Sequence, residues 1–203
     1  MNWKKLFPCF YKPKKTPSRE EREEISLVIA DEEVLVRGVL SPLFYSERKK
    51  QIRETLFLPP KGQITVSLNR FRYTTASFCK QHAKTINLPD DTYCGLASII
   101  NKDINFANAK VNGIQGFVKA TPMSENKEYL DMNIVKAYVD SEGLPMHADL
   151  TYYIDEFDTS VEPKTRLRKI ASEIVKLATY YHDSAPEEQE WTENTLLKSL
   201  TNV

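Results

Sequence analysis

Thr165-Arg166-Leu167-Arg168-Lys169-Ile170-Ala171-Ser172-Glu173-Ile174-Val175-Lys176-Leu177-Ala178-Thr179-Tyr180-Tyr181 is the most strongly periodic stretch of the chain. Leu167, Ile170, Ala171, Ile174, Leu177, Ala178 and Tyr181 fall on one face at helical spacing, with Arg166, Lys169, Glu173 and Lys176 opposite. That pattern predicts an amphipathic helix lying on a core. A short acidic stretch follows, and Pro186 is positioned to open a last helix ending near Leu200. His182-Asp183 between them reads as a helix C-terminus, where histidine favours the macrodipole.

Upstream of Asp155 the pattern is mostly of strands. Ile25 to Ala30 and Val34 to Leu40 are β-branched runs separated by Asp-Glu-Glu. Ile64 to Tyr73, Tyr93 to Ile100, Val111 to Ala120, Ile134 to Val139 and His147 to Ile154 are further strand candidates, bounded by turn residues. Two short helices are expected among them. One runs from Ser46, a candidate N-cap, to Leu56; the other starts at Thr74 or Thr75 and runs to about Lys84. Strands first and helices afterwards argue for α+β rather than regular βαβ alternation. The expected fold is therefore a mixed, mainly antiparallel sheet with a C-terminal helix pair and one or two short intervening helices. Residues 25–203 are expected to form one domain, strand-rich over 25–155 and helical over 163–200.

Residues 1–24 read as a basic, aromatic arm, extended or disordered unless docked, because Pro8, Pro13 and Pro17 break helix propagation. Formal net charge over the whole chain is zero, yet residues 1–20 carry six basic side chains and one acid, leaving −5 on the remainder. Attraction to phosphate or anionic lipid is thus expected to be local to the arm. Trp3, Phe7 and Phe10 interleave with Lys4 and Lys5, a composition suited to docking into a partner groove with aromatics as anchors and lysines at the rim. It also suits anionic lipid or nucleic acid.

Cys9, Cys79 and Cys94 are odd in number and irregular in spacing, which is no disulfide framework. Without a secretory signal or an apolar run of membrane-spanning length, the expected compartment is the reducing cytoplasm. The Walker, dinucleotide, nucleophile-elbow and zincin motifs are all absent, and no cofactor is implied.

Two constellations could carry chemistry. In the strand from Ile64, the residues Ile64, Val66 and Leu68 share a face with Arg70 and Arg72, a possible fork for phosphate or carboxylate. The plainer alternative is that the strand leaves the core after Leu68 and both arginines are solvated. In the strand from His147, the face with His147 and Asp149 opposes one with Ala148, Leu150, Tyr152 and Ile154. A His and an Asp two apart can act as acid and base, although a wet sheet face gives the same pattern. Cys79 and His82 on a helix, with Cys94 and His147 elsewhere, could supply zinc ligands on paper, but no CxxC occurs and no metal is expected.

These observations favour a non-enzymatic accessory protein that works in a protein complex, with the arm as docking element. The first alternative is a small enzyme or ligand-binding domain holding an anion through Arg70 and Arg72 beside His147 and Asp149. The second is a peripheral membrane or nucleic-acid adaptor acting through the arm.

Overall fold

A computed structural model of the protein describes residues 23–86, 89–132, 136–155 and 162–192. Its strands are β1 (Val34–Ser41), β2 (Tyr45–Ser46), β3 (Gln51–Ile52), β4 (Thr65–Arg70), β5 (Thr92–Ile100), β6 (Ile114–Ala120), β7 (His147–Ile154) and β8 (Thr179–His182). Its helices are α1 (Ala76–Lys84), α2 (Asn101–Asn108) and α3 (Pro163–Leu177). The fold is mixed α+β. Six strands form one antiparallel sheet in the order β6-β7-β4-β1-β5-β8, and β2 and β3 form a separate antiparallel pair.

Opposite residues in an antiparallel register share a sheet face. One face carries Leu35, Val39, Val66, Leu68, Leu150 and Tyr152, all buried, and α2 and α3 pack on this side. Ile170, Ala171 and Ile174 of α3 are fully enclosed, as the helical periodicity requires. On the other face α1 lies across β1 and β5. Gly38 permits that approach: a Cβ there would come within 2.1 Å of Ala83 Cβ. Thr75 caps α1, its Oγ1 accepting the Phe78 amide at 3.2 Å. The remainder of this face, across β4, β7 and β6, is open, and Ser67, Phe117, Lys119 and Tyr153 are exposed on it.

Several local expectations change. Among the described residues one helix stands near the C-terminus, where the periodicity and Pro186 suggested two; most of the second expected helix lies outside the described residues. Thr179–His182, expected as the end of that helix and its cap, is instead a strand pairing with Gly95–Ser98 of β5. Its β-prone Thr-Tyr-Tyr meets a sheet edge, and pairing outweighs the helical register. Described residues 184–192 form turns rather than a helix. Ser46 to Leu56 is not a helix: β2 and β3 make a hairpin, and a 3-10 turn follows over Glu54–Phe57. The charged tip includes Lys50, with φ of 51°, which a helix interior would not tolerate. Ile25 is buried, but residues 25–30 form no strand; the chain there contributes only a bridge between Glu24 and Tyr138. Arg166, assigned above to the solvated side of its helix, is buried and donates to the carbonyls of Gly113 and Asp155 at 3.0 and 3.1 Å.

Candidate functional site

The site begins with a gap in the sheet. β1 and β4 pair only at Leu35↔Arg70 and Val36↔Asn69, whereas β1 continues beside β5 to Ser41. Arg37 stands where the two strands part. Its Nη1 donates to the carbonyl of Ser67 at 2.6 Å, taking the place of a missing ladder bond, and its Cζ lies 5.2 Å from the Phe44 ring centroid. Burial lowers its pKa from 12.5 to about 10, so the guanidinium stays charged at neutral pH. None of the ion pairs among the described residues includes Arg37, and its Nε is buried with no hydrogen-bond partner.

Arg37 lines a cavity of about 140 Å³ together with Gln63, Thr65, Ser67, Asn69 and His82. At ~30 Å³ per water that is room for a few waters, or for one phosphate or carboxylate group. Asn69 links this cavity to a second cluster. Its Nδ2 lies 3.5 Å from His82 Nδ1, its Oδ1 is buried without a partner, and it opposes His147 in the β4–β7 ladder.

His147 and Asp149 are both buried. His147 Nδ1 lies 3.0 Å from the Thr121 carbonyl and 2.9 Å from Thr121 Oγ1. A carbonyl only accepts, so Nδ1 carries the proton and Nε2 presents its lone pair. That lone pair faces Asp149 Oδ1 at 3.9 Å, too far for a bond between them. The other oxygen, Oδ2, accepts from the Tyr129 hydroxyl at 2.9 Å, while Oδ1 has no hydrogen-bond partner. Two acceptors thus confront each other across a gap that only a group with two donor hydrogens would bridge.

Burial pushes His147 below the ordinary histidine value of 6.5; Asp149 and the Thr121 carbonyl pull upward without offsetting it, and Arg37 adds to the lowering. His82 is lowered as well, by burial first and then by His147, Lys127 and Arg37. The unfolded chain therefore takes up protons first as pH falls. Stability is complete above about 6.5 and is lost as pH drops through the two folded-state values. Urea unfolding near pH 7.5 and near pH 5 checks this. The midpoint is expected to fall at the lower pH, and to fall less in His147→Gln; an equal drop in the variant would contradict it.

Arg70 and Arg72 do not form the anticipated fork. β4 keeps its alternation to its last residue, so Arg70 stays on the covered face, fully buried. Its Nε and Nη2 bind Glu33 at 2.5 and 2.8 Å, Nη2 also donates to Val28 O at 3.0 Å, and Nη1 donates to Ser26 O. Arg72 is exposed on the 3-10 turn Phe71–Tyr73, its Cζ 5.5 Å from the Tyr73 ring centroid. Neither shares a face with His147 and Asp149. Those two do share one, the otherwise open face, but at their end of it both are buried rather than wet. Cys79 is buried with its thiol pushed up to about 12, and no group of three His, Cys, Asp or Glu side chains that could hold a metal occurs among the described residues. Trp3, Lys4, Lys5, Phe7 and Phe10 lie outside the described residues.

Arg37 carries no motif, yet it had a signal: it is the one charge in the strand Val34-Leu35-Val36-Arg37-Gly38-Val39-Leu40-Ser41. No protein-family model, curated protein or solved structure matches the chain. No helix among the described residues is long and apolar enough to cross a membrane.

Proposed function

We propose that the protein is a small ligand-binding domain, equipped for acid–base chemistry, that takes an anionic ligand at Arg37. The observation that carries this is a partly buried guanidinium, without a carboxylate partner among the described residues, lining a cavity whose wall mixes polar side chains with apolar ones such as Leu68, Ala83 and Ile86. A buried charge is normally paired, and here a phosphate or carboxylate would supply the pairing. The base this reading assigns is His147, whose Nε2 is unprotonated and whose ladder partner Asn69 lines the cavity. The docking-arm reading rests on residues outside those the structure describes, so the proposal stands on the sheet alone.

Calorimetric titration with inorganic phosphate and with acetate tests this. Saturable binding is expected for at least one of them. Arg37→Gln should weaken it by roughly ten-fold or more, the scale of a charge-assisted hydrogen bond. Unchanged affinity in Arg37→Gln, or no binding of either anion to the native protein, would overturn it.

A further inference from the structure

The open face next to the Arg37 cavity says more about the ligand. Thr65, on the cavity wall, opposes Thr151 of β7, which opposes Phe117 of β6, so one row of side chains runs from the cavity to the sheet edge. Two strand spacings make that row about 10 Å long, the reach of a nucleotide from its phosphate to the far edge of its base. Most side chains of this open stretch are polar: Gln115, Lys119, Thr151, Ser67 and Thr65. Two large rings interrupt it, Phe117 at 49% and Tyr153 at 67% exposed. Phe117 opposes Thr151 and Gln115 opposes Tyr153, which makes the two rings diagonal neighbours, within reach of one planar group. Beyond them lies a cavity of about 480 Å³ at the Gly113 end of β6, lined by Tyr153, Gln115, Asn112 and Asn108 among others. Its volume falls within the range of small-molecule sites.

We propose that the anionic ligand is a nucleoside phosphate unit, free or within a single strand, with its phosphate at Arg37 and its base stacked on Tyr153 and Phe117. This rests on the anion-binding reading of Arg37. Exposed aromatics on an antiparallel sheet stack bases whatever their sequence, because every base has a π-face. The amides of Gln115 and Asn112 suit an adenine edge, which offers one donor and one acceptor side by side. Lys119, in the row beside Asp149, adds a positive charge for the backbone.

Titration with inorganic phosphate, ribose 5-phosphate, AMP and a short oligoadenylate, against the native protein, Arg37→Gln and Tyr153→Ala, separates the parts. Tyr153 is exposed, so its substitution leaves the core alone. AMP should bind at least about ten-fold tighter than ribose 5-phosphate. Tyr153→Ala should remove that advantage while leaving ribose 5-phosphate affinity intact, and Arg37→Gln should weaken all phosphates. Tighter binding of oligoadenylate than of AMP assigns the source to a single strand, and weaker binding assigns it to a free nucleotide; both support the base site. Equal affinity for AMP and ribose 5-phosphate, or an AMP advantage that survives Tyr153→Ala, overturns the base site and leaves the anion site standing. Failure of every phosphate to bind overturns the Arg37 reading itself.

Discussion

Arg70→Met is expected to lower the free energy of unfolding by about 3–5 kcal/mol, the usual cost of removing one partner from a buried ion pair. Arg70 is wholly enclosed and Glu33 nearly so, and they meet through two parallel hydrogen bonds. The same guanidinium collects the carbonyls of Ser26 and Val28, which otherwise belong to a segment without strand partners. Methionine would leave Glu33 buried with its carboxylate unpaired and would take the guanidinium donors from the carbonyls of Ser26 and Val28. Against a total stability of about 5–15 kcal/mol, that loss is a large fraction, and the melting temperature should fall by roughly 10 °C. The double variant Glu33→Met/Arg70→Met should recover part of the loss, because it removes the stranded charge. A double variant less stable than Arg70→Met would show that the pair contributes little and that packing carries the segment.

Lys80→Met should have a similar effect, on a different part of the molecule. The ammonium donates to Ala185 O at 2.6 Å and to Glu190 O at 3.2 Å, and it forms an ion pair with Asp183 Oδ2 at 2.8 Å. Lys80 thereby fastens residues 183–191 onto α1, with help from Gln81 to Gln189 O and from Ser77 to Glu190 Oε2. Asp183 is almost fully buried, so losing its counterion leaves an unpaired carboxylate, again at about 3–5 kcal/mol. This variant should also release Trp191, which is 8% exposed and whose amide donates to Ser77 Oγ at 2.8 Å. In a Trp3→Phe background, where Trp191 is the one remaining tryptophan, its emission should shift to the red in Lys80→Met. Unshifted emission together with an unchanged urea midpoint would refute the fastening role.

The two pairs show how far residue patterns reach. Alternation in β4 correctly places Arg70 on the face of Val66 and Leu68, but alternation is silent about depth. The expectation that a charge marks the strand's exit from the core fails because Glu33, 37 residues away in the chain, waits to meet it. Similarly, α3 is legible because its apolar spacing repeats over four turns. α2 is not: Asn101 to Asn108 has three asparagines among its eight residues, and only Ile104 and Ala107 bury. Its helix comes from packing against β6. The charged Glu47-Arg48-Lys49-Lys50 run behind Ser46 has every local sign of a helix start, yet burial of Tyr45 and Ile52 favours a hairpin. In the candidate site, His147 and Asp149 are legible as a pair from strand period alone. Arg37, Asn69 and His82 are not, because they meet only where β1 and β4 part, and strand register cannot be read from one chain's periodicity.

The Arg37 Nε–H resonance in ¹⁵N-labelled protein is the most direct probe of the anion site, since that atom is buried without a hydrogen-bond partner in a side chain whose residue lines the cavity. Titration with inorganic phosphate should shift this resonance saturably, with the Asn69 side-chain amide moving in step and Arg70 unmoved in its bonds to Glu33. A static Arg37 signal, with shifts confined to exposed groups such as Arg72, would contradict an anion site at the gap between β1 and β4.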